Sequence, residues 1–356
     1  MKQHENWLLE IIADPSNDPL RQFLRLMLFL LSLVYRVAVG IRNWAYDHRL
    51  LPVNQVDAPV IAVGNLTVGG TGKTPIVKWL IEQLSENHNV AVVSRGYRKL
   101  PGELNDEGLE IARQFPNVLQ IQDKDRVVAA NQAIQSFRNH AQQQLAILVD
   151  DGFQHRRLHR DLNILIVDAT APFGHGYLLP RGLLREPTTS AKRADAVILT
   201  RANLISSEQK DSIESQLRQA TPAVLWAESH LVCQGWISNT RSTLPLDALR
   251  SSKLFSFCGI GNPKGFRLTL ENANLNIEHM LPFPDHHHYS HQDIDDIVSA
   301  AKLNHCEAIV CTVKDLVKLP KDRDFDVPIY ALETKTQMVG GSEGLIKMIA
   351  ETMDRS

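Results

Sequence analysis

The stretch Pro59-Val60-Ile61-Ala62-Val63-Gly64-Asn65-Leu66-Thr67-Val68-Gly69-Gly70-Thr71-Gly72-Lys73-Thr74-Pro75 constrains this chain more than any other. It reads as an apolar strand, a glycine-rich turn and the start of a helix. Glycines at 69, 70 and 72 free backbone N–H groups to wrap a polyphosphate, and the helix N-terminus adds its positive dipole end. Thr67, Val68, Gly69, Gly70, Thr71, Gly72, Lys73 and Thr74 are therefore the expected nucleotide-binding residues. Lys73 is placed to reach the outer phosphates and the Thr74 hydroxyl to reach a magnesium ion. Pro75 falls in the first helical turn, where its missing N–H costs nothing. The general pattern asks for glycine where this chain has Thr67, so a plain glycine-rich turn with a solvated lysine is the competing reading.

The sequence around that loop alternates short apolar runs with helical stretches. Strands are expected at Val60–Val63, Val90–Val93, Leu145–Val149, Asn163–Val167 and Ala196–Leu199, and helices at Pro75–Glu86 and Val127–Gln142. Continuous apolar strands separated by helices imply a parallel sheet covered on both faces, with ligands beyond the strands' carboxyl ends. A second block starts near Leu254, with strands at Ala308–Thr312 and Val327–Leu332. The expected fold is thus α/β, a P-loop NTPase-like parallel core with a smaller second α/β domain. The expected segments are 1–50 for an N-terminal extension, 51–235 for the P-loop domain and 236–356 for a C-terminal domain closing a cleft. A length of 356 residues accommodates this, and 38 basic against 40 acidic residues leave no basic field for nucleic acid. The four cysteines show no C-x-x-C pairing, so neither a zinc site nor a disulfide framework is expected.

Leu20–Ile41 is the most apolar segment. Arg25 and Arg36 leave ten residues between them, about 15 Å of helix, short of the roughly 30 Å of a bilayer core. Arg21, Arg25, Ser32 and Arg36 cluster within roughly 60° on a helical wheel, opposite Phe23, Leu30, Val34 and Val37. That describes an amphipathic helix lying in a membrane interface, with residues 20–46 at the surface. A buried helix of a soluble core is the alternative.

Asp150-Asp151-Gly152-Phe153-Gln154-His155 follows the strand ending at Val149. Carboxylates there, beside a phosphate loop, suit a magnesium ion or its waters. Ser94-Arg95-Gly96-Tyr97 closes another strand at the same edge. Asp285-His286-His287-His288 admits a metal-cluster reading, although consecutive histidines cannot all face one ion.

In order along the chain, GNLTVGGTGKTP, SRGY, Asn105-Asp106-Glu107, DDGFQHRRLHRD, LLPRGLLREP, CGIGNPKGF, FPDHHHY and TVKDLVKL resemble the tetraacyldisaccharide 4′-kinase family of lipid A biosynthesis. The resemblance implies transfer of the ATP γ-phosphate to the 4′-hydroxyl of an acylated glucosamine disaccharide 1-phosphate, with Mg2+, at the cytoplasmic face of the inner membrane. It implies Asp106 as the carboxylate that takes the hydroxyl proton, with His286 as its partner, and Arg185 as a stabiliser of the transferring phosphoryl group. Glu107, Thr74, Asp150 and Asp151 are implied on the magnesium side, and Tyr97 and His155 as further substrate-cleft residues. The loop alone also suits a membrane-associated P-loop ATPase switch. Partition-type ATPases place a second lysine before the two glycines, where this chain has Val68, and such a switch has no use for Asp106.

Overall fold

The computed structural model describes residues 11–12, 18–96, 104–138, 143–240, 242–285, 287–320 and 325–355. The chain divides into two compact units. One holds Pro15–Thr200, Ser207–Ser229 and Met338–Ser356; the other holds Arg201–Ser206 and His230–Gln337.

The larger unit is built on parallel strands. In it β1 (Val60–Asn65) pairs with β4 (Leu145–Asp150) on one side and β5 (Leu162–Asp168) on the other. Beyond β4 lie β2 (Asn89–Ser94) and β3 (Leu119–Gln122); beyond β5 lie β6 (Ala196–Thr200) and the start of β7 (Leu225–Ser238). Every residue of β1 is buried. Its alternation sends Ile61 and Val63 against Ile76, Val77, Leu80 and Ile81 of one helix, and Val60 and Ala62 against Ala129 and Ala130 of another. The first is α2 (Lys73–Leu84) and the second α4 (Arg126–Phe137). A strand covered on both faces has to be apolar throughout, hence the unbroken apolar runs.

Five strands extend one or two residues past their expected ends, and each adds a polar residue: Asn65, Ser94, Asp150, Asp168 and Thr200. Hydrophobicity marks where a strand enters the core. The ladder continues past it to the edge where ligands bind. Among the elements that had no expectation are β3 and the helix α3 (Asp106–Gln114). The four residues of β3 are half-buried and mixed in polarity, too short for periodicity to register. The helix expected to reach Gln142 ends at Phe137, and residues 139–142 lie outside the described set.

The smaller unit has its own parallel ladder: β10 (Asn276–Pro282), β9 (Lys253–Cys258), β11 (Ala308–Thr312) and β12 (Ile329–Gly340), in that order. An antiparallel ribbon pairs the end of β7 with β8 (Thr243–Pro245). The Asp315 carboxylate is fully buried there and accepts from Gly259 N (3.0 Å), Tyr289 Oη (2.9 Å) and Thr312 Oγ1 (2.6 Å). It ties the CGIGNP turn to the end of β11, a structural use of the TVKDLVKL element. The units divide differently from the 236–356 segment expected from sequence. Helix α9 (Ser342–Asp354) sends Leu345, Ile349 and Met353 into the core shared with Ile76 and Leu80, so the last residues belong with the phosphate loop.

Helix α1 (Pro19–Asp47) is the one helix among the described residues long and apolar enough, by length and composition, to cross a membrane. Asp18 caps it and Pro19 occupies its first turn. Arg25, Leu28, Ser32, Tyr35, Val39, Arg42 and Tyr46 step by three and four residues and are half-buried or buried. Phe23, Met27, Leu30, Val34, Val37, Ile41 and Trp44 step by four and three residues, one or two positions earlier, and are exposed, Val34 at 69%. At 100° per residue the mean directions of the two stripes differ by roughly 160°, so they lie on opposite sides. The polar stripe therefore turns largely toward protein, Arg36 excepted, where the sequence placed it among headgroups. A helix that docks by one stripe and leaves a long apolar one bare fits peripheral association with a membrane.

Candidate active site

The phosphate loop leaves β1 at Asn65 and enters α2 at Lys73. Gly72 is the N-cap residue, with φ of +80°, and the methyl of Thr200 and its hydroxyl press close behind it. Only glycine takes that backbone conformation without strain. Thr200 Oγ1 donates to the Thr71 carbonyl (2.9 Å), fixing the turn from β6. On its other flank the loop is paired with the LLREP segment: Val68 N donates to Leu183 O (2.8 Å) and Arg185 N to Leu66 O (2.7 Å).

Behind the loop the DDGFQ turn folds back onto β1, with Gly152 N donating to Val63 O (2.9 Å) and Gln154 Nε2 to Asn65 O (2.7 Å). Gly64 makes room for it. A Cβ there would sit 2.6 Å from Phe153 N and Cβ, closer than real atoms come.

Asn65 is the hub. It is fully buried, its Nδ2 donates to Thr67 O (2.8 Å), and its Oδ1 accepts from Lys73 Nζ (3.3 Å) and from Arg185 Nη2. Arg185 also holds Asp151 by a two-pronged pair, Nη1 to Oδ2 and Nη2 to Oδ1, both at 2.8 Å. Lys73 Nζ lies 3.5 Å from Asp151 Oδ1. Two cations and a carboxylate thus meet at the mouth of the loop. Burial pushes the Asp151 carboxyl up, but Lys73 and Arg185 outweigh it and hold it well below the usual carboxylate range. Burial likewise disfavours the Arg185 charge, and Asp151 more than restores it.

Asp150 behaves oppositely. It is 5% exposed, its Oδ1 has no hydrogen-bond partner, and burial followed by the nearby Glu107 carboxylate pushes it up to about 7. A buried, unpartnered carboxylate oxygen at this edge is the donor a hard cation wants. Among the described residues no three His, Cys, Asp or Glu side chains converge on one point. Nucleotide-borne magnesium needs no such cage, since it takes one or two carboxylates, waters and phosphate oxygens. Asp150, with the buried Thr74 at the head of α2, fits that donor set.

Asp106 is the first residue of α3; its side chain, like Tyr97 and His286 altogether, lies outside the described residues. What sets its backbone is described. Asn105 caps α3 by accepting from Gly108 N (3.0 Å), and Gln122 clamps Asn105 with Oε1 accepting from Asn105 N (3.1 Å) and Nε2 donating to Asn105 Oδ1 (2.6 Å). Asn105→Ala should destabilise the protein by about 1 kcal/mol and lower kcat while sparing the ATP KM, as denaturation and steady-state kinetics would show.

His155 is half-buried with an unpartnered Nε2; burial, then Arg126, drives its pKa down to about 4, so it is neutral at pH 7. Two residues escaped the sequence reading. Arg126 is 4% exposed, with Nη1 donating to the Asp123 and Lys124 carbonyls and its charge facing Asp151 and Asp150. Its signal was a charged residue opening an otherwise uncharged helix. Asn65 was visible only as the polar residue before the loop.

The family model for tetraacyldisaccharide-1-P 4′-kinase, LpxK, matches residues 24–354. The chain belongs to this family. A tetraacyldisaccharide 4′-kinase of Syntrophus aciditrophicus is 37% identical over 350 residues, covering 91% of this chain and 92% of that one. The Halothermothrix orenii protein of the same name is 32% identical over 372 residues, covering 95% and 96%. Among solved structures, LpxK from Aquifex aeolicus in complex with ATP superposes with a TM-score of 0.66 at 29% identity, covering 93% of this chain and 99% of that one. The family's members are ATP-dependent kinases of lipid A biosynthesis acting at the 4′-position, and the P-loop kinase fold described above is theirs.

Proposed function

We propose that the larger unit carries out 4′-phosphorylation of an acylated glucosamine disaccharide 1-phosphate at the cytoplasmic face of the inner membrane, with Lys73, Arg185 and Asp106 as catalytic residues. The observation that carries this reading is the meeting of Lys73, Arg185 and Asp151 at Asn65, beside the Asp150 Oδ1 that has no hydrogen-bond partner. A sugar hydroxyl is a weak nucleophile, so transfer needs a base for its proton and cations for the charge gathering on phosphoryl oxygens. Residues 67–74 would cradle the phosphates. Lys73 and Arg185 would follow the γ-phosphoryl oxygens as the bond to the β-phosphate breaks and the bond to the 4′-oxygen forms. Asp106 would receive the hydroxyl proton. Mg2+ supplies neutralisation of the outer phosphates when bound; Asp150 and the Thr74 hydroxyl would hold it, with Glu107 tuning Asp150 by its charge. Asp151 aims both cations. Tyr97 and the neutral His155 would line the sugar side.

The test is transfer of labelled γ-phosphate from ATP to a tetraacyldisaccharide 1-phosphate in mixed micelles, with product mapped to the 4′-position. One phosphate transferred per ATP consumed supports the reading. ATP hydrolysis with no labelled lipid would replace it with an ATPase switch.

The bare stripe of α1 is proposed as the membrane contact, lying in the interface and not spanning it. Val34→Asp with Val37→Asp should lower partition onto anionic phospholipid vesicles by about tenfold or more, because each buried apolar side chain contributes roughly 1.5 to 3 kcal/mol. Sedimentation with vesicles measures this, and unchanged activity on micelle-dispersed substrate checks that the fold survives.

A further inference from the structure

A run of contacts joins helix α1 to Arg185. Tyr35 Oη donates to the Arg185 carbonyl at 3.0 Å. One residue on, the fully buried Glu186 carboxylate pairs with Arg42 of α1 on one oxygen and Arg193 on the other. The Arg193 guanidinium lies 4.6 Å from the centre of the Phe153 ring, two residues after Asp151. At its C-terminal end the helix is held again, with Asp47 taking Arg156 (2.7 Å) and Lys192 (3.3 Å).

Glu186 cannot reach substrate, since it has no exposed surface. A buried carboxylate is costly to desolvate, and its pairing with two guanidiniums makes the backbone of Arg185-Glu186 stiff in one arrangement. That backbone donates to Leu66 at the root of the phosphate loop, and the Arg185 side chain leaves it to grip Asp151 and Asn65. The segment is thus clamped by α1 on one side and by the phosphate loop on the other. Removing the first clamp lets the second drift, and misplacement by about 1 Å at a reacting group costs as much as 100-fold in rate.

We infer that Arg42 and Tyr35 are positioning residues for phosphoryl transfer: the seat of α1 on Glu186 and on the Arg185 carbonyl sets the aim of the Arg185 guanidinium. The helix then belongs to the catalytic apparatus as well as to the membrane contact. This rests on the role given to Arg185 above.

The test is a double-mutant cycle on the full-length chain, with substrate in mixed micelles and ATP saturating. Arg42→Ala should lower kcat about tenfold with the lipid KM within about twofold, and in an Arg185→Ala background it should change kcat by less than about twofold. Tyr35→Phe, which deletes one oxygen, should show the same pattern at about threefold and carries the test should Arg42→Ala fold poorly. Loss of kcat by the same factor in both backgrounds, or an effect on the lipid KM alone, would overturn the inference and leave Arg185 catalytic. Arg185→Ala with undiminished kcat would overturn the role of Arg185 itself, and the inference with it.

Discussion

Asp150→Asn is expected to lower kcat by about 10²- to 10³-fold and, in the nucleotide-free protein, to raise stability at pH 8. Both effects come from one carboxyl. In the fold its pKa rises from an ordinary 3.8 to about 7, through burial and then Glu107. Between those values the unfolded chain has lost a proton that the native state still holds. Native stability is therefore complete below about pH 4, falls as pH rises through about 7 and is flat above. The displacement corresponds to at most roughly 4 kcal/mol. Asparagine mimics the protonated form, so denaturation should find the variant more stable than the parent at pH 8 and equal to it at pH 4. The kinetic counterpart is a parent kcat/KM for ATP that falls below about pH 7, where the carboxylate is no longer available to magnesium. A variant less stable than the parent at pH 8 would show that the Asp151 backbone and Lys73 hold the charged carboxylate strongly enough to outweigh its burial.

Asp151→Asn should lower kcat by about 10²-fold while leaving the ATP KM unchanged or lower. Asp151 has φ of +54°, a left-handed conformation that asparagine also takes, so the turn should persist. What disappears is the negative charge between Lys73 and Arg185. Without it Lys73 faces incoming phosphates with no competing carboxylate, so binding does not suffer. Arg185, however, loses its two-pronged partner and its aim. A variant whose KM for ATP rose while kcat held would place Asp151 on the binding side instead.

The two carboxylates of Asp150-Asp151 illustrate the reach of the sequence. Their position at a strand's end beside a phosphate loop was legible. Their division of labour was not, because it comes from a partner 34 residues further on, Arg185, which claims one and leaves the other. Asn105 is similar. Only its bonds to Gly108 and Gln122 show it as the cap that starts the Asp106 helix. The apolar side of α1 was equally legible. Its arginines were assigned to headgroups on amphipathicity alone, whereas several of its polar groups are engaged by protein: Arg42 by Glu186, Tyr35 by the Arg185 backbone.

Local chemistry written into consecutive residues needs no tertiary information: a glycine turn between strand and helix binds phosphate, and doubly buried strands must be apolar. From these the order of letters alone established a P-loop α/β protein with an apolar N-terminal helix, and the resemblance of its motifs pointed to the family. Folding decided what depends on distance between remote residues. It put the last helix with the first strand, gave two adjacent aspartates opposite proton affinities, and made Asn65 the point where Lys73 and Arg185 meet. The charges that shift a carboxyl most are those within about 4 to 6 Å of it, so only the packed chain settles which charges count as neighbours.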